Sequence, residues 1–282
     1  MVDKVLILGA KGMLGGQLQK VFPKALAWGR SDVDVTKIED LKFKIEKLEV
    51  RPGVIINCVA FNDVDGAEEK KDVAFLLNAT VPGNLAKLTK ELGIPLVHFS
   101  TNYVFDGEKG EYKEDDVPHP LSVYAKSKHQ GETGVAKHGG QYYILRTAVL
   151  FGPKGESEAS KKSFVDIMLD ASVKTDTIKA VSDEINSITY SADLAEMVQY
   201  ILMDSLPSGI YHSTNSGSAS WYEFAKEIFS ITGKKINLLP VPSTEFSRKA
   251  IRPKKSVLIN TKLLQVRSWQ EALSEFLSKN SV

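Results

Sequence analysis

The 282-residue chain is 43% hydrophobic and 25% charged and carries a formal net charge of +1, the profile of an ordinary soluble globular protein with no field to attract nucleic acid or an anionic membrane. Its longest apolar runs, such as residues 54–61, are strand-sized and far short of a bilayer span, and the short apolar run 5–8 leads into glycines rather than a signal-peptide cleavage site. The single cysteine, Cys58, lies inside an apolar run and reads as a packed core thiol, so no internal disulfide is expected and the chain reads as cytoplasmic.

In chain order, residues 4–8 predict a strand, a glycine-rich turn follows, and residues 13–21 predict an amphipathic helix. Residues 25–28 read as a second strand and 37–48 have helical spacing. Residues 54–60 are apolar apart from Asn57, as in a strand buried on both faces. Residues 73–92 read as helical, with Pro82 expected to kink or split the helix. Residues 94–100 predict another buried strand, 124–136 a helix and 142–145 a strand. This alternation predicts an α/β fold, a Rossmann-like doubly wound parallel sheet with helices on both faces. The remainder is less regular. Helices are expected over 163–169, 192–204 and 221–232, and prolines and glycines punctuate the rest. The division expected is a dinucleotide-binding domain over 1–150, with a returning segment near 180–205, and a smaller C-terminal substrate-binding lobe over 151–282.

Gly9, Gly12 and Gly15 fall in the spacing G-x-x-G-x-x-G between the first strand and the first helix. Glycines there permit a tight turn and let backbone N–H groups approach a pyrophosphate, while the helix N-terminus favours negative charge. Position in a βαβ unit turns a weak motif into a strong indication of dinucleotide binding. After the second strand the chain has Arg30 and no acid before Asp32. An arginine suits a 2′-phosphate, so NADPH is favoured, with NADH left open. Asp34 and Val35 follow and are placed to approach the adenine.

Tyr124 and Lys128 stand four residues apart, on one face of a helix. A phenol has a pKa near 10 and needs tuning to act as an acid–base group; a neighbouring ammonium lowers that pKa and can also hydrogen-bond a nicotinamide ribose. Thr101 closes the preceding strand, at the edge where α/β folds bind ligands, and its hydroxyl can orient a carbonyl. The five histidines, at 98, 119, 129, 138 and 212, show no metal-ligand spacing, so no catalytic metal is predicted.

Together these features resemble the extended short-chain dehydrogenase/reductase superfamily, and more narrowly the dTDP-4-dehydrorhamnose reductase family. The resemblance runs nearly end to end. Asn57 to Asp65, with Glu68 and Asn78, is similar to N-A-A-A-x-T-x-V-D-x-x-E…N, and Ser100 to Gly107 to S-T-D-Y-V-F-D-G. Glu114, Pro118, Pro120, Tyr124, Lys128, Gly131 and Glu132 match the segment around the family's tyrosine, and Arg252 to Ser256 its R-P-x-x-S. The resemblance implies reduction of a nucleotide-linked keto sugar by NADPH, within cell-surface polysaccharide biosynthesis. Tyr124 would be the general acid, Lys128 would tune it and hold the ribose, and Thr101 would bond the keto oxygen. Gly12, Met13 and Leu14 would lie along the pyrophosphate. Val59, Ala60 and Phe61 would flank the cofactor, with Asn78 matched beside them, and Phe61 and Asn62 would face the substrate. Asn102, Val149 and Arg252 fall at further substrate-side positions. Some family members bind Mg²⁺ at a dimer contact through a glutamate that is Gln17 here, so a homodimer is allowed but a metal is not expected.

Several substrate-side positions depart from the family pattern. Asn102 stands where Asp is usual, and Val149 replaces a tryptophan. Residues 183–189 lose the Gln, Gly and Pro of D-Q-x-G-x-P-T, which become Glu184, Asn186 and Ile188; Ala125 replaces a glycine. Losing a flat aromatic removes a stacking surface for a base or sugar. Two alternatives follow: a reductase of a different nucleotide-linked keto sugar, and a non-catalytic NADP-binding subunit like the regulatory β subunit of methionine adenosyltransferase.

Overall fold

A computed structural model describes residues 4–157, 160–264 and 266–280. The first half runs β1 (Val5–Leu8), α1 (Met13–Val21), β2 (Leu26–Trp28), α2 (Ile38–Glu46), β3 (Val54–Asn57), α3 (Val64–Glu69), α4 (Lys71–Phe75), α5 (Val81–Leu92), β4 (Leu96–Thr101), β5 (Gly110–Tyr112), α6 (Val123–His138) and β6 (Tyr142–Thr147). The second runs β7 (Leu150–Phe151), α7 (Phe164–Ser172), β8 (Thr177–Val181), β9 (Ile185–Ser187), β10 (Thr189–Tyr190), α8 (Ser191–Met203), β11 (Gly209–His212), β12 (Ser218–Ser220), α9 (Trp221–Thr232), β13 (Asn237–Val241), β14 (Lys255–Leu258) and α10 (Trp269–Asn280).

Strand periodicity explains the main sheet. Val5 and Ile7 point to one face and Leu6 and Leu8 to the other, and each pair joins a separate core. A strand buried on both faces must be apolar throughout, which is why β1, β3 and β4 read as continuous runs. Leu14 and Leu18 of α1 and Leu194 and Val198 of α8 cover one face. Leu41 and Ile45 of α2, Val81 and Leu85 of α5 and Val135 of α6 cover the other. The six parallel strands lie in the order β11-β6-β4-β3-β1-β2. Strand order reverses between β1 and β3, and in such sheets ligands bind in the crevice at that switch point.

A second core packs Phe151, Tyr190, Phe224 and Phe276 edge-on and face-on beside the carboxyl ends of these strands. It underlies a four-stranded sheet, β12-β9-β14-β5, and the parallel pair β13-β8. Helices α7 and α9 each start with a reciprocal capping box, Ser163 with Asp166 and Ser220 with Glu223. β5 precedes α6 in sequence yet pairs with β14, so the chain stitches the two halves together ahead of α6.

The helix expected over 73–92 is divided. α4 passes through one π-helical turn, Leu76–Thr80, before α5 begins with Pro82 in its first turn. Proline has no N–H to give the Asn78 carbonyl, so the ladder breaks there. α3, α10, the main-sheet strand β11 and the short strands outside that sheet have no counterpart among the predicted elements.

Candidate active site

The glycine turn is built by close approach. Gly9 has φ 77°, in the left-handed region, and a Cβ on it would sit 3.1 Å from the backbone of Cys58 and Val59 at the end of β3. A Cβ on Gly15 would meet the Gly9 carbonyl oxygen at 2.5 Å, so α1 starts pressed against its own turn. Gly12 is the N-cap and supplies no side-chain cap. The N–H groups of the first helical turn, at Met13 and Leu14, therefore have neither intrahelical nor capping acceptors. The backbone around Gly155 lies against Gly12 and Met13, and the Ser157 N–H donates to the Lys11 carbonyl at 2.9 Å.

At the end of β2, Asp32 turns its carboxylate back to accept from the Gly29 N–H at 2.7 Å. Arg30 is exposed beside it, and the Lys11 side chain lies over Gly29, 3.3 Å from where a Cβ would be. Lys11 was not among the residues singled out from sequence; a lone lysine in a turn gives no signal until the turn folds against β2. Asp34 closes its own turn, accepting from the Thr36 hydroxyl at 2.7 Å and amide at 3.0 Å. The Val35 side chain packs into the core with Leu6 and Leu8.

Val59, Ala60 and Phe61 follow β3 and are half-buried, while Asn62 is exposed. Asn78 is wholly buried and clamps this segment: its Oδ1 accepts from the Phe61 N–H at 2.8 Å, and its Nδ2 donates to the Phe61 carbonyl and the Ser127 hydroxyl, both at 3.0 Å. These bonds occupy the amide, so Asn78 holds the Phe61 backbone in place and offers no free side-chain group of its own.

Ser122 caps α6, accepting from the Ala125 N–H at 3.2 Å. Tyr124 and Lys128 are both buried, one turn apart. Lys128 Nζ donates to the Phe99 carbonyl at 2.5 Å, tying α6 to β4. The Tyr124 ring meets Tyr103 edge-on, 6.3 Å between centroids. The Thr101 hydroxyl accepts from the Tyr103 N–H at 3.2 Å, at the end of β4 beside Tyr124. Burial pushes the Tyr124 phenol up to about 12, opposed by hydrogen bonding from Thr101. Burial pushes Lys128 down to about 8, opposed by the Glu132 carboxylate one turn on. Glu132 is itself buried and takes a two-pronged hydrogen bond from Arg146 of β6, at 3.0 and 2.7 Å. Burial works to raise the Glu132 pKa, but the neighbouring His129 and Arg146 hold it at about 2. Behind this face Gly131 rests on Asn78, where an added Cβ would stand 2.1 Å from the carbonyl oxygen.

The remaining residues come from the second core and its loops. Val149 has φ 37°, a strained conformation for a β-branched residue, and its carbonyl accepts from the Thr189 N–H at 3.2 Å. Arg252, expected on the substrate side, is paired with Asp65 of α3 at 3.1 and 2.7 Å and donates to the Ala250 carbonyl. That hydrogen bond from Arg252 holds the Asp65 carboxyl at about 2. Glu184, where the family pattern has Gln, accepts from Arg248 at 2.6 and 2.8 Å and from the Trp221 indole at 3.2 Å. Asn102 is buried against β9 and β14. Among the described residues, no group of three His, Cys, Asp or Glu is placed to hold a metal ion, and no helix is long and apolar enough to cross a membrane.

Three comparisons place the chain among known proteins. The spore coat polysaccharide biosynthesis protein SpsK of Bacillus subtilis (strain 168) is 34% identical over 289 residues, covering 99% of both chains. The dTDP-4-dehydrorhamnose reductase of Streptomyces griseus is 34% identical over 286 residues, 96% of this chain and 91% of that one. The crystal structure of dTDP-4-dehydrorhamnose reductase from Bacillus anthracis str. Ames in complex with NADP superposes with a TM-score of 0.92 at 37% identity, covering 99% of this chain and 100% of that one. The model of the RmlD substrate binding domain matches residues 3–282, and the chain belongs to that family.

Proposed function

We propose that this protein is an NADPH-dependent reductase that converts the 4-keto group of dTDP-4-dehydrorhamnose to the hydroxyl of dTDP-L-rhamnose. The observation that carries the reading is the meeting of Thr101, Tyr124 and Lys128 at the carboxyl end of β4, beside the switch point. The glycine turn suits a dinucleotide. A Cβ would fill the space at Gly9 or Gly15, and the first N–H groups of α1 are uncapped. Arg30 and Lys11, with Asp32 tied to Gly29, suit a 2′-phosphate.

Bound there, NADPH supplies the hydride. The Thr101 hydroxyl donates to the keto oxygen and fixes its orientation. Tyr124 gives its proton to that oxygen as negative charge develops; with a pKa pushed up to about 12 the phenol is fully protonated at neutral pH, so the acid is loaded. Lys128, at about 8, is charged at neutral pH. It offers N–H groups to a bound ribose and offsets the charge left on Tyr124. Phe61, Asn62, Val149 and Arg252 border the sugar nucleotide, with Asn102 buried behind Thr101. Replacement of the family's tryptophan by Val149 favours one second reading, reduction of another nucleotide-linked 4-keto-6-deoxysugar. The reading places the enzyme in the cytoplasm, as a monomer or homodimer that sedimentation would distinguish.

The test mixes purified protein with NADPH and a panel of nucleotide-linked 4-keto sugars and follows absorbance of the reduced cofactor. Oxidation with dTDP-4-dehydrorhamnose is expected. Tyr124→Phe should slow it by about 10²–10⁴-fold, the worth of a positioned acid, while NADPH affinity is kept. Tight NADPH binding without oxidation by any sugar of the panel would overturn the reading.

A further inference from the structure

Asn102 sits between the catalytic strand and the second lobe. Its side-chain amide is 2% exposed and every polar atom has a partner. Nδ2 faces three oxygens: Asn186 Oδ1 of β9 at 2.9 Å, Ser256 Oγ of β14 at 2.7 Å and the Ser256 carbonyl at 3.2 Å. A backbone carbonyl can only accept, so the Ser256 carbonyl decides which way the amide points. The NH₂ must face the lobe, and Oδ1 is thereby turned toward the Thr101 hydroxyl, 3.4 Å away. The Ser256 hydroxyl, 3.2 Å from Asn186 Oδ1, closes the cluster.

The consequence for Thr101 follows from its donor count. Its hydroxyl oxygen already accepts from the Tyr103 N–H, and its one proton has two acceptors within reach, Asn102 Oδ1 and the Tyr124 phenol oxygen. A 3.4 Å bond is near the outer limit for an O–H···O interaction and holds the proton weakly. The proton is aimed but easily surrendered to a stronger acceptor, which an incoming keto oxygen is.

We propose that Asn102 is a positioning residue: held by Asn186 and Ser256 of the second lobe, it parks the Thr101 hydroxyl proton until the keto oxygen of the substrate takes it. The idea rests on the reductase reading. It also accounts for two departures from the family pattern as one change, because Asn102 and Asn186 are partners. A carboxylate at 102 would set oxygen against the Ser256 carbonyl, which cannot turn away, and against Asn186 Oδ1. Only the protonated acid would reproduce the amide, its O–H donating to the Ser256 carbonyl and its C=O facing Thr101. The groups packed around the position are Asn186 and Ser256 from the lobe and, through Thr101, Tyr124 from α6. The nearby charges are committed elsewhere, Lys128 to the Phe99 carbonyl and Glu184 to Arg248.

The test is the pH profile of Asn102→Asp beside wild type, with kcat measured between pH 5.5 and 8.5 and NADPH binding followed by fluorescence. At pH 8 the variant should lose about a hundredfold in kcat, the order expected when reacting groups are misplaced by about 1 Å. As pH falls and the new carboxyl is protonated, most of that loss should be recovered, with KM for NADPH unchanged. Wild type should change only a few-fold over this range, as Lys128 titrates. A variant as active as wild type at pH 8, or one whose loss is the same at every pH, overturns the proposal. Should the variant fail to bind NADPH, Asn186→Ala decides. It should lower kcat severalfold with both KM values kept, and unchanged kcat overturns the proposal. Lack of wild-type turnover with every sugar would instead sink the reductase reading itself.

Discussion

The two walls of the crevice are built in different ways. One is the inward face of α6 with β4 and β6, where Tyr124, Lys128, Glu132 and Arg146 are buried on regular elements and hold one another. The other is the second lobe, where short strands carry Asn186 and Ser256, Glu184 directly precedes one of them, and side chains join it to the first wall. Most departures from the family pattern fall on the second wall or where the two walls meet, and two of them bring a partner. Glu184 has Arg248 and Asn102 has Asn186. A wall made of buried charges tolerates no single replacement, whereas a wall made of paired polar side chains can be respecified two residues at a time.

The largest test of that contrast is Arg146→Met. It leaves Glu132 buried without its cation, and an uncompensated buried charge costs about 3–5 kcal/mol. Denaturant unfolding should show a midpoint lowered accordingly; a loss below about 1 kcal/mol would mean that the first wall is no more rigid than the second.

The next effect is in the pH dependence of the reaction. On the proposed mechanism, reduction needs Lys128 charged and Tyr124 protonated. Lys128 titrates first as pH rises, because its pKa of about 8 lies below the value of about 12 for Tyr124. Activity is therefore full below about 8 and should fall about tenfold per pH unit above it. A kcat/KM that rises through this range would show that the α6 wall is not holding a charged lysine for catalysis.

The smallest effect belongs to Glu184→Gln, which restores the family residue on the second wall. The neutral amide keeps one oxygen to accept from Arg248, which is 22% exposed, so the loss should stay under about 1 kcal/mol. A cost matching that of Arg146→Met would erase the distinction between the walls.

What could be read from sequence follows the same divide. β1, β3 and β4 are legible because burial on both faces forces unbroken apolar runs. Tyr124 and Lys128 are legible because a helix puts their spacing on one face. β9 and β14 are short, and their polar residues face inward, so no periodicity marks them. The bonds from Asn102 to Asn186 and Ser256 span 84 and 154 positions of sequence, which no local pattern reports. Lys11 and Asn78 show a second limit: their neighbours, Gly29 and Phe61, are set by how loops settle on strand ends. Arg252 shows a third, since sequence marks it as a cation near the substrate but not that Asp65 takes its charge.

Gly131 gives Tyr124 its depth. The helix carrying Tyr124 rests, two turns further on, directly on the Asn78 carbonyl, where even a methyl group would intrude to 2.1 Å. Pro82 is what leaves that carbonyl outside the helical ladder, and the absence of a side chain at 131 lets α6 come down onto it. The depth of Tyr124 is thus gauged from behind the helix, by two backbones in contact, and a spacer of a single carbon there would shift the whole row of buried side chains on that face.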